Sequence, residues 1–101
     1  MGQKIKKALV VDDSRLARVA LCKQLQKLAI ETEVAGNGGE AISYLQGSAP
    51  DVVFMDFMMP DMDGFEAARR VLSDPSCAHP PIVMYTSPDT QEDRARAKEV
   101  G

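Results

Sequence analysis

The stretch that decides the fold is "DVVFMDFMMPDMDG", residues 51–64. An unbroken apolar run, Val52 to Met55, ends on Asp56. Three more apolar residues follow, then Pro60 and a tight D-x-D-G bend. A strand that is apolar at every position is buried on both faces, as in the middle of a parallel sheet. Ending such a strand on a carboxylate is costly unless something stabilises the charge there. The rim of the sheet is where that is achieved, and the rest of the chain supplies the partners.

Working outward, similar short apolar runs alternate with helical patterns, the mark of a doubly wound parallel α/β sheet. "ALVV" (8–11) forms the first strand and stops at Asp12-Asp13, with Ser14 placed as an N-cap or first-turn residue. Residues 15–30 form a helix with Ala17, Leu21, Leu25 and Leu28 along one stripe. Leu16, Val19 and Cys22 fall outside that stripe, so the helix packs on a neighbour as well as on the sheet. A short strand at 33–35 meets the turn Asn37-Gly38-Gly39, and a short helix follows with Ala41, Ile42 and Leu45. After the loop at 56–64, Phe65, Ala68 and Leu72 give helical spacing up to Asp74-Pro75. Pro80-Pro81 introduces a fourth strand, "IVMYT" (82–86). Residues 89–100 read as a polar helix, and Gly101 stands where a helix C-cap would be. The reading is four βα units in one domain, residues 1–101. Met55 and Met84 are expected as core fillers, Met59 and Met62 as loop residues.

Composition narrows the classes. The chain has 101 residues, 45% hydrophobic and 27% charged, ordinary values for a soluble globular domain. No run approaches the roughly 20 apolar residues that span a bilayer, and the N-terminus lacks a signal-peptide pattern, so a cytoplasmic protein without membrane partners is expected. Two cysteines make no disulfide framework. Cys77 and His79 are too few to hold a metal, and His79 is the single histidine. The net charge of −3 hides an asymmetry: residues 1–30 carry +5, residues 31–66 carry −8 with no base, and the remainder balances. The bases fall mostly on the first helix and strand as a solvated face, so no direct nucleic-acid binding is expected.

In open parallel sheets, functional groups sit at the carboxyl ends of the strands. Three strand ends here are polar: Asp12-Asp13, Asp56 and Thr86-Ser87. Adjacent strands lie only about 5 Å apart, so three carboxylates converge and repel one another unless a cation intervenes. A hard divalent ion held through oxygen, such as Mg²⁺, suits that set. With it in place a carboxylate becomes a nucleophile toward a phosphoryl group, forming an acyl phosphate.

Asp12-Asp13, "VVFMD", "MPDMDG" and the Thr that ends the fourth strand resemble the receiver domain of bacterial two-component response regulators, from about Lys7 to Gly101. The resemblance implies a flavodoxin-like sheet of order 2-1-3-4-5 and a phosphorylation-controlled switch that is not primarily an enzyme. It implies Asp56 as phosphoacceptor, Asp13 as a direct Mg²⁺ ligand and Asp12 as one acting through water. The backbone carbonyl of Met58 would be a further ligand. Thr86 would hydrogen-bond the phosphoryl group and move as the switch, and Pro60 and Gly64 would shape the loop. The implied partners are a histidine kinase or histidine phosphotransfer protein upstream and an effector protein or domain downstream. The family's fifth strand, with an aromatic residue and a Lys-Pro, and its fifth helix have no counterpart in these 101 residues. The chain is therefore expected either to continue or to pair its open fourth strand as a dimer. Met58 and Pro88, which cannot orient a water, point to slow loss of the phosphoryl group.

Three other readings fit these residues less well. A receiver-shaped interaction module that works without phosphate loses because the three acids and Thr86 are all in place. A phosphohydrolase of the haloacid dehalogenase type looks for a second Asp where this chain has Met58. An EF-hand loop aligned on Gly64 would start at Met59 and end at Arg70, which supplies neither carboxylate.

Overall fold

The computed structural model describes residues 5–59 and 62–85. Its elements alternate as β1 (Lys7–Val11), α1 (Arg15–Lys27), β2 (Glu31–Ala35), α2 (Gly38–Gly47), β3 (Val52–Asp56), α3 (Gly64–Ser73) and β4 (Ile82–Tyr85). The four strands are parallel, in the order β2-β1-β3-β4. That agrees with the expected order over the strands described. The expected helix at 89–100, its C-cap Gly101, and Thr86, Ser87, Pro88 and Pro60 lie outside the described residues.

Strand composition explains the order. Ala8, Leu9, Val10 and Val11 are wholly buried, and Val52, Val53 and Met55 nearly so, which puts β1 and β3 at the centre of the sheet. β2 (ETEVA) exposes Glu31, Glu33 and Val34 and forms an edge. Side chains of each central strand alternate between two cores. Leu9, Val11, Val53 and Met55 meet Ala41 and Leu45 of α2 and Ala67 and Val71 of α3 in the larger one. Ala8, Val10 and Val52 meet Leu25 of α1 on the other face, with Leu21, Ile30 and Phe54 packed around them.

Each helix opens on a side-chain cap. Ser14, Asn37 and Asp63 accept hydrogen bonds from the amides of Ala17, Glu40 and Glu66, at 3.2, 2.9 and 2.8 Å. Asn37-Gly38-Gly39, expected as a turn, is therefore an N-cap followed by the first residues of α2. The first helix stops at Lys27 rather than running to residue 30. The Ile30 amide bonds to the Leu25 carbonyl and the Ala29 amide to that of Gln26, both at 3.0 Å, with Ala29 at φ 62°. This is a Schellman ending with alanine where glycine is usual, and Leu28 is left 70% exposed.

Helical spacing alone does not mark which residues the last described helix and its loop bury. On α3, Phe65 and Leu72 are 61% and 62% exposed, while Ala67 and Val71 are wholly buried. The smaller residues go inward because α3 lies close to α2 and to the end of β3. Met59, expected as a loop residue, belongs to the larger core, and Met62 packs against that core. Leu16 and Val19 are exposed, and Cys22 is half-buried.

Candidate functional site

The site is built at the carboxyl ends of β1 and β3. The paired registers place Val10 opposite Phe54, and Phe54 opposite Val83. Two residues further on, the same row carries Asp12, Asp56 and Tyr85, with Asp56 and Tyr85 directly paired. Period-two alternation therefore puts two acids and a phenol on one face at the rim.

One carboxylate oxygen from each of Asp12, Asp13 and Asp56 lies within 4.8 Å of the others. Asp12 and Asp56 are wholly buried, and Asp13 is exposed at the mouth. Local backbone holds the two buried acids. Asp12 Oδ1 accepts from the Ser14 amide at 2.9 Å, and Asp56 Oδ1 from the Met58 amide at 3.1 Å. The backbone around Asp12 is also fixed, its carbonyl accepting from Arg18 Nη1 at 2.8 Å and its amide donating to the Ala35 carbonyl at 3.1 Å.

Gly64 completes the frame. A Cβ there would lie 2.7 Å from both the Asp56 carbonyl oxygen and Phe57 Cα. Its amide donates to the Phe57 carbonyl at 3.0 Å, which satisfies an N–H at the start of α3. The bend after the acidic strand requires glycine because α3 begins against the backbone that carries Asp56.

The structure brings together the three expected acids and places Met58 beside Asp56. It adds two residues that sequence reasoning missed. Arg18 grips the Asp12 carbonyl, and Tyr85 donates its hydroxyl to Asp12 Oδ2 at 2.6 Å. Arg18 carried no signal beyond helical spacing, whereas Tyr85 was legible through the register row. The donor set fits a hard divalent cation: oxygens only, anionic, and closer than uncompensated like charges favour.

Residues 8–101 match the family described as "Response regulator receiver domain". The chain belongs to this receiver family. Protein PilH of Pseudomonas aeruginosa is 33% identical over 93 residues, covering 92% of this chain and 77% of that protein. Response regulator PleD of Caulobacter vibrioides is 36% identical over 93 residues, and this chain spans 20% of its length. The gliding motility regulatory protein of Myxococcus xanthus is 35% identical over 95 residues, and the chain spans 12% of it. Among solved structures, the N-terminal domain of a response regulator receiver protein from Methanoculleus marisnigri superposes with a TM-score of 0.77 at 25% identity, covering 96% of both chains. Chemotaxis protein CheY4 of Vibrio cholerae gives 0.74 at 35% identity, over 97% of this chain and 82% of that one. The fold is thus the flavodoxin-like receiver fold. A receiver works as a signalling switch rather than primarily as an enzyme. No described helix is long and apolar enough to cross a membrane.

Proposed function

We propose that this receiver accepts a phosphoryl group on Asp56 from a histidine kinase or histidine phosphotransfer protein, and that the modified rim alters binding to an effector. The observation that carries the reading is the convergence of Asp12, Asp13 and Asp56 to within 4.8 Å at two neighbouring strand ends. Mg²⁺, when bound, neutralises the acids and the phosphoryl oxygens so that the two can meet. Asp13, at the mouth, is the direct ligand and Asp12, deeper and already hydrogen-bonded, acts through water. The Met58 carbonyl is the further ligand.

The chain's own part is positioning. Burial and the Met58 amide hold the Asp56 carboxylate in one orientation. One of its oxygens forms the new O–P bond as the donor's N–P bond breaks, and the electron pair of that bond leaves with the imidazole. Thr86, the next residue after β4, supplies the hydroxyl that bonds the transferred group and carries the change outward.

Acetyl phosphate with Mg²⁺ tests the reading. A gain of roughly 80 Da, one phosphoryl group, should appear and be removed by hydroxylamine. Asp56→Asn should abolish it, and a gain that survives this substitution would place the acceptor elsewhere.

A further inference from the structure

Tyr85 stands on β4, yet its hydroxyl reaches Asp12 at the end of β1, with β3 between them. Two strand spacings make roughly 10 Å, about what a tyrosine covers when both side chains lean together. The Tyr85 ring forms one wall of an open groove of about 350 Å³ on the α1 face, beside Ala17, Leu21, Phe54 and Val83. The 2.6 Å bond fixes the hydroxyl.

We propose that Tyr85 is a positioning residue of the acidic site, whose hydroxyl orients Asp12 toward the cation and couples the pocket to the end of β4. The inference rests on the reading of Asp12, Asp13 and Asp56 as the Mg²⁺ site. With Oδ1 held by the Ser14 amide and Oδ2 by Tyr85, the Asp12 carboxylate cannot rotate without breaking a hydrogen bond to a charged acceptor. Such outer partners typically set metal affinity by 10- to 100-fold. Tyr85 also immediately precedes Thr86 in the chain, so a change in the pull of Asp12 on the phenol acts on the strand end next to the proposed switch residue. When a cation draws charge from Asp12, the hydroxyl is held less tightly.

The chain has two tyrosines and no tryptophan, which gives a direct readout. An excited phenol passes its proton readily to a bonded carboxylate, so Tyr85 should emit weakly. In a Tyr44→Phe background, where Tyr85 is the only tyrosine, emission should rise on adding Mg²⁺. It should also rise without Mg²⁺ in Asp12→Asn. Calorimetric titration with Mg²⁺ should show Tyr85→Phe at least about tenfold weaker than the parent chain. A purely structural role for the ring would leave the affinity and the emission response unchanged, because phenylalanine keeps the same ring in the wall of the groove. Equal affinity in the parent and Tyr85→Phe, or Tyr85 emission indifferent to both Mg²⁺ and Asp12→Asn, overturns the inference alone. A parent chain that binds no Mg²⁺ overturns the site reading and the inference with it.

Discussion

Gly64→Ala probes how the fold presents Asp56. The added methyl would sit 2.7 Å from the Asp56 carbonyl oxygen and 2.7 Å from Phe57 Cα, with Met84 Sδ 3.1 Å away. Carbon contacts are comfortable at about 3.5–4.0 Å, so relief requires a movement of roughly 0.8 Å. Two of the three obstacles are backbone, and one of these belongs to the candidate phosphoacceptor itself. Overpacking of this kind costs about 1–3 kcal/mol, against which alanine recovers at most ~0.5–1 kcal/mol through helix propensity. At the middle of those ranges the net loss is about 1.3 kcal/mol, which at about 4–8 °C per kcal/mol for a domain of this size should lower the melting temperature by roughly 5–10 °C. The shift falls on the residue that must align with the phosphoryl group, where a 1 Å misplacement can cost about 100-fold. Phosphorylation by acetyl phosphate should therefore slow by about 10- to 100-fold at a temperature where the variant is still folded. Gly47→Ala is the control, since a Cβ there meets nothing within 4 Å at the last residue of α2. Thermal melts and a time course of phosphorylation on both variants decide the matter. A Gly64→Ala protein that melts within ~2 °C of the parent and reacts at the parent rate would refute the claim that close approach is why glycine stands here.

The remaining predictions concern other parts of the frame. Ala29→Gly should stabilise the chain by about 0.5–1 kcal/mol, because Ala29 holds φ 62° at the end of α1 where glycine has no steric penalty; a denaturant titration that shows no gain would count against the Schellman ending. The Ser76 hydroxyl and amide, with Gln46, hold the Asp74 carboxyl down at about 2, below its ordinary 3.8. A depressed carboxylate contributes stability above 3.8 that fades as pH falls toward 2. Ser76→Ala should move the Asp74 midpoint up toward 3.8 in a carboxyl NMR titration, and an unmoved midpoint would exclude the hydroxyl as the main cause. Asp13→Ala should weaken Mg²⁺ binding more than Asp12→Ala does, because Asp12 already accepts hydrogen bonds at both oxygens; calorimetry showing equal losses, or none, would count against the assigned roles.

What could be read before the structure, and what could not, follows from the range of the forces involved. The alternation of strands and helices and the meeting of Asp12, Asp13 and Asp56 rest on short unbroken apolar runs, which leave a chain few ways to bury them, whereas the strand order came only with the family resemblance. The inward face of α3 was not legible, for the opposite reason. Phe65 and Leu72 are the larger apolar residues, but Ala67 and Val71 are the ones α3 packs into the core with α2 and β3. Local periodicity cannot report how closely two elements approach. The early stop of α1 was hidden because Ala29 carries none of glycine's signal, and the left-handed residue is held by burial of Ile30 beside Leu25. Met59 lies in the loop after β3 as expected, but its place in the larger core was not legible, because a loop residue is ordinarily outside.

Tyr85 falls between these cases, and its legibility is the more instructive. Parallel strands whose apolar rows are in register carry that register one step past their ends. Once Val10, Phe54 and Val83 are recognised as a row, the residues two further along are Asp12, Asp56 and Tyr85. Nothing in "IVMYT" alone separates this tyrosine from a strand-filling aromatic. The row does so, because it sets a long polar-tipped side chain beside two carboxylates buried at 0% exposure. Buried acids need donors, and backbone amides at Ser14 and Met58 reach only one oxygen of each. A side-chain donor two strands away, on β4, supplies the second oxygen of Asp12. The demand created by burial, projected along the register, is therefore enough to locate the phenol that the sequence pattern leaves unmarked.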